Sequence, residues 1–516
     1  MSPKFVSVEE MIAIEKAADA SGHSYAQMME HAGRGMAEII LESYGQLADK
    51  SALALVGKGN NGGDALVALD HLNQAGWQTT ALIVNGRGKD ELVERLVGQS
   101  ELLWTDKNDA EALGHLLSNH SVFVDGLLGT GIKLPLSGEA SQLLAQVQRS
   151  LLLMEPTPKI VAVDCPSGMD CDTGEVAPET QRADLTVCMA AVKKGMLTLP
   201  AFEYLGQLRI ASIGLPDGLG AYSEVQRFVV EGDWVREALP ERPLDAHKGT
   251  FGKVMIIAGS RNYSGASLLA ARAAFRSGSG WVMLAVPEPL QSGLAGHFPE
   301  ATWIPLAHVD SAIAPAAIQE INENLGVAKS LLLGPGLGLA TVTEAFVQEL
   351  LSPDLPPMVI DADGLKLLAR VDNWWEKLPA DSVLTPHAGE MSILTGMDRA
   401  SIQPNRLELA EQFASQWGHI VVLKGAFTAI AAPDGRTAII PVASPALARA
   451  GTGDVLAGII AGLRAQGMEA FEAAAAGAWL HGQAGLNAAQ SVGSTAAVLA
   501  GDLVGELGPL LKKGSR

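Results

Sequence analysis

Cationic residues are in short supply: 37 Lys and Arg stand against 57 Asp and Glu, leaving a net charge of −20 over 516 residues. A nucleic-acid surface needs a basic stripe, and the chain has no lysine cluster larger than the pairs Lys193-Lys194 and Lys512-Lys513. A nucleic-acid partner is excluded on that ground, and anionic ligands must be held by local backbone N–H groups. Cysteine is scarce too. Cys165, Cys171 and Cys188 lack CxxC or Cys/His metal spacing, so they are expected to be reduced, structural thiols. No apolar run approaches the ~20 residues that span a bilayer. The chain opens with Glu9, Glu10, Glu15 and Asp19 and no apolar core segment, which excludes a signal peptide. The expectation is a soluble cytoplasmic protein with no membrane partner.

Aromatics make up only 5% of the chain, whereas apolar residues make up 48% and glycines number 56. Small side chains let helices lie close to a sheet, so this mix suits layered α/β packing. At ~150 residues per domain, the length predicts two to four domains.

Short apolar runs alternate with longer amphipathic stretches. Residues 53–56, 81–84, 122–125, 160–164, 185–189 and 208–213 read as strands in the first half. Residues 253–258, 282–286, 331–333, 358–360 and 420–423 do so in the second. Runs this continuous suggest strands covered on both faces, as in a parallel sheet. Residues 429–432 and 438–441 flank Pro433-Asp434-Gly435 as a hairpin. Near residues 214–250 the character changes, with GLPDGLG followed by LPERP, and the boundary is placed between residues 215 and 228. This places one α/β domain at 1–222 and a second at 223–516, with no repeat between them.

The most informative segment of the second domain is ARAGTGDVLAG, residues 448–458. Small residues lead straight into an apolar helix, whose free N–H groups and dipole make an anion site suited to phosphate. Asp454 falls in the first turn, where a base contributes ~10²–10⁴-fold by taking a hydroxyl proton. Three more strand ends carry GPGLG (334–338), TPHAGE (385–390) and VLKGAFT (422–428), and Asp361-Ala362-Asp363 adds carboxylates able to hold Mg²⁺ through water. Ligands in open α/β sheets bind outside the carboxyl ends of strands.

These motifs, with His247-Lys248-Gly249 and Tyr263-Ser264-Gly265-Ala266, make residues 228–511 resemble the ADP/ATP-dependent NAD(P)H-hydrate dehydratases of the ribokinase-like superfamily. The resemblance implies a ribokinase-like α/β domain that phosphorylates the hydrate hydroxyl and then eliminates phosphate, restoring NADH or NADPH. It implies Asp454 as base and Gly451, Thr452 and Gly453 as the phosphoryl cradle. Lys424, Gly425, Ala426, Phe427 and Thr428, together with Gly453, would carry the ADP or ATP co-substrate. Ala266, Gly338, His387 and Asp454 would contact the hydrate. Two departures from the family pattern are Ala388, where proline is usual, and Lys366 after Asp363-Gly364-Leu365.

In the first domain, GKGNNGGDA (57–65) follows a strand and precedes a helix. Its paired glycines permit positive φ and expose N–H groups, while its asparagines offer donors and acceptors. Two further strand ends are VDGLLGTG (124–131) and VDCPSGMD (163–170). Asn61, Asp125 and Ser167 from these three ends are all oxygen donors, and one carboxylate among neutral oxygens suits a monovalent ion.

Residues 9–213 resemble the NAD(P)H-hydrate epimerases, which interconvert the R and S hydrates on a Rossmann-like three-layer sandwich. The resemblance implies substrate contacts at Asn60, Asn61, Gly62, Gly63 and Asp64, at Gly129, Thr130, Gly131, Ile132, Lys133, Leu134 and Pro135, and at Asp164. It implies K⁺ on Asn61, Asp125 and Ser167, and a homo-oligomer. Asp164 is the candidate acid/base, and Asp164→Asn is expected to spare the fold while stopping epimerisation. Departures fall at Ala65, Leu69, Lys133 and Leu134. The competing reading is a ribokinase-like small-molecule kinase with a non-catalytic N-terminal binding module.

Overall fold

The computed structural model describes residues 2–88, 90–105 and 110–512. Lys513 of the terminal lysine pair lies outside them. The chain divides into two compact units, Pro3–Gln226 and Arg227–Arg516.

In the N-terminal unit the apolar runs form a seven-stranded parallel sheet. Its order is Glu101–Trp104, Gln78–Ile83, Ser51–Val56, Val122–Gly126, Lys159–Val163, Leu185–Met189, Gln207–Ala211. Counted along the chain this is 3-2-1-4-5-6-7, the doubly wound Rossmann-like order. Its switch point, where ligands of such sheets bind, lies between Ser51–Val56 and Val122–Gly126. Successive side chains alternate faces. Ala52, Ala54 and Val56 therefore join a core beneath helices Val8–Ala20, Tyr25–Tyr44 and Asn60–Gln74. Leu53 and Leu55 join another beneath Ala110–Ser118 and Gly138–Leu152. This is a three-layer sandwich. The three cysteines are buried and free, all in this unit.

In the C-terminal unit a parallel array runs Thr302–Leu306, Trp281–Pro287, Lys253–Ile257, Ser330–Leu333, Met358–Ile360, Val383–Leu384, Ile420–Leu423. The expected hairpin extends it antiparallel as Ala429–Ala431 and Thr437–Ile439, and Arg227–Val229 completes that edge. Helices Ser264–Arg276, Thr452–Ala465 and Ala470–Val492 share one large apolar core with the sheet. The helix that carries Asp454 lies against its neighbour backbone to backbone. A Cβ on Gly458 would sit 2.2 Å from the Ala270 carbonyl oxygen, and one on Gly462 2.5 Å from that of Ala274. Gly458→Val must push these helices apart, so it is expected to lower stability by ~1–3 kcal/mol and to reduce C-terminal activity with it. Denaturant unfolding checks the first effect, and an unchanged midpoint would contradict it. Among the described residues, no helix is long and apolar enough to cross a membrane.

Candidate active sites

The C-terminal site forms where strand ends meet the start of helix Thr452–Ala465. Gly451 takes φ +91°, open to a residue without Cβ, and turns the chain into that helix. Thr452 ties the turn down by donating its hydroxyl to the Leu447 and Arg449 carbonyls, both at 2.9 Å. The free N–H groups of the first turn stay available to an anion. Lys424 lies above them, its Nζ 3.4 Å from where a Cβ on Gly453 would stand.

Lys424 sits among carboxylates. Its Nζ is 2.6 Å from Asp361 Oδ1 and 3.7 Å from Glu390 Oε2. Burial works to lower its pKa, but Asp361 and Glu390 outweigh that and raise it. Asp454 is the other extreme. Burial, then the neighbouring Asp361 carboxylate, pushes it up to about 7 against the pull of Lys424. A carboxyl poised there suits a general base at neutral pH.

The remaining segments converge on the same place. Lys424 N–H donates to Pro386 O at 2.9 Å, tying VLKGAFT to TPHAGE. Gly338 N–H donates to Asp363 at 2.9 Å, tying GPGLG to the Asp361–Asp363 turn. Ala266 meets GPGLG closely, 3.0 Å from where a Cβ on Gly336 would lie. Residues 424–428 form a turn closed by Thr428 and Gly425, with Phe427 at φ +57°. His387 also caps helix Ala388–Thr395: its Nδ1 accepts from Gly389 N at 2.9 Å and Glu390 N at 3.1 Å. That nitrogen is therefore unprotonated, and the ring, on a half-exposed side chain, sets Nε2 3.4 Å from Glu390 Oε1. Burial lowers the His387 pKa.

The departures find physical partners. Lys366 Nζ pairs with Asp363 Oδ1 at 2.9 Å, so both Asp363 oxygens are engaged within the protein. Ala388 occupies the first helical position and leaves the His387 cap intact. Glu390 and Thr385, which hold Lys424 and Asp361 respectively, were not singled out from the sequence. Only the capping-box spacing of His387 and Glu390 signals the first.

The N-terminal unit holds a cavity of about 620 Å³. Asn60, Asn61 and Asp64 line it from one strand end, Gly129, Thr130, Gly131 and Ile132 from another, and Asp164 from a third. Gly62, Gly63, Lys133, Leu134 and Pro135 are not among its lining residues. The two glycines lie in the first turn of helix Asn60–Gln74, and neither adopts positive φ. The expectation of φ > 0 there is corrected: close approach is what needs them. A Cβ on Gly62 would stand 2.1 Å from Gly57 O, and one on Gly63 2.5 Å from Met29 Sδ. Ala65 and Leu69 are fully buried in the core on that helix.

Asp164 takes φ +62°, uncommon for a residue with a side chain, directly after strand Lys159–Val163. Its Oδ1 accepts from Met189 N at 2.9 Å and from Lys193 Nζ. Lys193, 1% exposed, lines the same cavity and was missed in the sequence. Burial acts to lower its pKa, and the Asp164 carboxylate more than reverses this. Burial, then Asp164 and Glu15, holds Asp64 well above the ordinary carboxylate range. Glu15, another lining residue missed in the sequence, is raised by burial.

Beside the cavity, the predicted ion ligands gather. Ser167 Oγ and N donate to Asp125 at 2.6 and 2.8 Å. Asn61 Nδ2 donates to the Val163 and Leu128 carbonyls at 2.5 and 3.3 Å. Asp125 is 1% exposed, burial raises its pKa, and no Lys or Arg pairs with it among the described residues. A buried carboxylate without a counter-charge, ringed by neutral oxygens, has the donor chemistry of a hard monovalent cation.

Comparison with known proteins agrees with this layout. The family model for NAD(P)H-hydrate dehydratase matches residues 254–507, and that for the YjeF-related protein N-terminus matches residues 25–195. The bifunctional NAD(P)H-hydrate repair enzyme Nnr of Moorella thermoacetica is 38% identical, covering 92% of this chain and 90% of that one. Its counterpart from Thermofilum pendens is 36% identical, covering 95% and 93%. A crystal structure of ADP/ATP-dependent NAD(P)H-hydrate dehydratase from Bacillus subtilis, co-crystallised with ATP and Mg²⁺, is 31% identical. It covers 55% of this chain and 96% of that one, with a TM-score of 0.47. With both family models matched in order and relatives aligned almost end to end, the chain belongs to the bifunctional NAD(P)H-hydrate repair enzymes.

Proposed function

We propose that this chain repairs hydrated NADH and NADPH in two steps. The N-terminal unit epimerises the R and S hydrates, and the C-terminal unit dehydrates the S form at the expense of ADP or ATP. The observation that carries the reading is Asp454, a base poised near neutrality at a helix start built for phosphate. Asp454 takes the proton of the hydrate hydroxyl as that oxygen attacks the terminal phosphoryl group of the nucleotide. The free N–H groups at the helix start, that of Gly453 among them, and the Lys424 ammonium receive the transferred charge. The phosphorylated oxygen then leaves as phosphate while the adjacent carbon loses a proton, restoring the ring double bond. Mg²⁺ would arrive on the nucleotide phosphates and meet Asp361 and Asp454 through water. Asp363, engaged by Gly338 and Lys366, is a poorer partner than its spacing suggests.

Asn61, Asp125 and Ser167 would hold K⁺, which neutralises a buried carboxylate and fixes three strand-end loops around the cavity. Asp125→Asn is expected to raise the K⁺ concentration for half-maximal epimerisation by at least ~10-fold, read from a K⁺ titration; an unchanged titration would remove the ion from this site. A cytoplasmic homo-oligomer fits the family reading.

A coupled assay tests the whole proposal: mixed R and S hydrates of NADH, Mg²⁺, K⁺ and ADP or ATP, followed by the absorbance of regenerated NADH. Complete conversion only with nucleotide is expected. A stall after the S form would leave the N-terminal unit a binding module, and a stable phosphorylated product would make the C-terminal unit a kinase.

A further inference from the structure

Hydration of a dihydronicotinamide begins with protonation of an enamine at its β carbon, so water ends on the carbon attached to the ring nitrogen. That carbon is a carbinolamine. Its configuration inverts if the carbon–nitrogen bond opens and closes again on the other face, which needs one group to take a proton from oxygen and another to give one to nitrogen.

The cavity of the N-terminal unit presents a matched set for this. Asp164, at the carboxyl end of its strand, is bent out of the sheet by its positive φ and bonded on Oδ1 by the Met189 N–H and by Lys193 Nζ. Lys193 Nζ donates in addition to Met189 O at 3.1 Å, so the ammonium is fixed to the backbone at the end of strand Leu185–Met189. Asp64 comes from helix Asn60–Gln74 and Glu15 from helix Val8–Ala20. All four line one cavity, and Asp64 and Lys193 are at most 6% exposed. The other titratable groups that interact with Lys193 are the Cys188, Cys171 and Cys165 thiols. A buried ammonium is expensive unless paired, so a fold that keeps one here, against a cavity wall, keeps it for the carboxylate it holds.

We propose that Lys193 is the positioning residue of epimerisation: it holds Asp164 as the proton acceptor, with Asp64 in the same cavity as the proton donor. The proposal rests on the epimerase reading above. Asp164 takes the hydroxyl proton, the O–H pair becomes the second carbon–oxygen bond, and the carbon–nitrogen pair retreats to nitrogen, which takes a proton from Asp64. The open aldehyde rotates. Nitrogen then re-forms its bond on the opposite carbonyl face, its proton returns to Asp64, and Asp164 gives one back to oxygen. No atoms or electrons are gained or lost. The environments agree, since burial, then Asp164 and Glu15, raises the Asp64 pKa well above the ordinary carboxylate range while Asp164 faces an ammonium. Opposed environments of this kind separate acid from base roles.

The full-length protein carries the test, with R-to-S conversion measured from pH 5.5 to 9.5, dehydration of pure S hydrate as a control of the C-terminal unit, and thermal denaturation as the control of N-terminal folding. Lys193→Met is expected to lower kcat for epimerisation by ~10²-fold or more, to leave KM within a few-fold, and to shift the acidic limb of its pH profile. Lys193→Arg restores most of the rate. Loss carried by KM alone, or kcat within threefold with an unmoved pH profile, overturns the role of Lys193. Should Lys193→Met not fold, Asp64→Asn decides: the basic limb of the kcat profile disappears if Asp64 is the donor, and an intact bell overturns the arrangement. If the wild-type protein does not epimerise at all, the failure belongs to the epimerase reading instead.

Discussion

Asp454→Asn stops dehydration, lowering kcat by ~10²–10⁴-fold, while nucleotide binding survives. The amide keeps the size of the carboxylate and the helix start around it, so the N–H groups that receive phosphate are untouched. What disappears is the only group there raised to about 7. The wild-type rate should fall as pH drops below that value, because the base is then protonated. The sign for stability is opposite. A carboxyl whose folded pKa is raised contributes its stability fully below the ordinary carboxylate range and loses it as pH rises through about 7. At pH 8 the folded state carries an unfavourable charge that Asn removes, so Asp454→Asn should melt no lower than wild type. Isothermal titration with nucleotide and thermal denaturation check the two halves. Lost nucleotide affinity or a lowered melting temperature would make Asp454 a structural residue.

Asp164→Asn is the contrasting case. It ends epimerisation, so R hydrate is left unconsumed when mixed hydrates are supplied, while S hydrate is consumed at the normal rate. From the sequence the substitution is conservative, and a spared fold is the natural expectation. The structure revises that, because Lys193 is buried against this carboxylate. Removing one partner of a buried pair costs ~3–5 kcal/mol. For a unit of this size that corresponds to a melting temperature lower by roughly 6–20 °C. Adding Lys193→Met to Asp164→Asn removes the stranded charge, so stability should return in part and activity not at all. A single variant that melts like wild type would show that Lys193 sheds its proton instead.

Long parallel strands were legible because burial on both faces leaves an unbroken apolar run, as in Ser51–Val56 and Ser330–Leu333. The edge strands Glu101–Trp104 and Thr302–Leu306 were not, nor was the short central strand Val383–Leu384. Glu101–Trp104 begins on an exposed glutamate, Thr302–Leu306 contains Pro305, and Val383–Leu384 is too short to show any period. Site motifs at strand ends were legible wherever glycine, asparagine or aspartate clustered. Lys193 lay hidden because a lysine in Ala-Val-Lys-Lys reads as solvated surface, and only the chain reversal at Asp164 reveals its partner. Gly62 and Gly63 were recognised as special for the wrong physical reason: their backbone is helical, and space alone excludes a side chain.

The placement of the thiols gives the molecule a built-in gauge. Cys165, Cys171 and Cys188 all lie within Pro3–Gln226, and the chain has no cysteine after them. Cys188 is packed against the Asp164 carbonyl and Met196, and burial pushes its thiol pKa up. Since thiolate is the reactive form, alkylation waits for the N-terminal unit to open and is blind to the unit that follows. The labelling rate of the unaltered chain therefore measures how often one half breathes, without probe, tag or truncation.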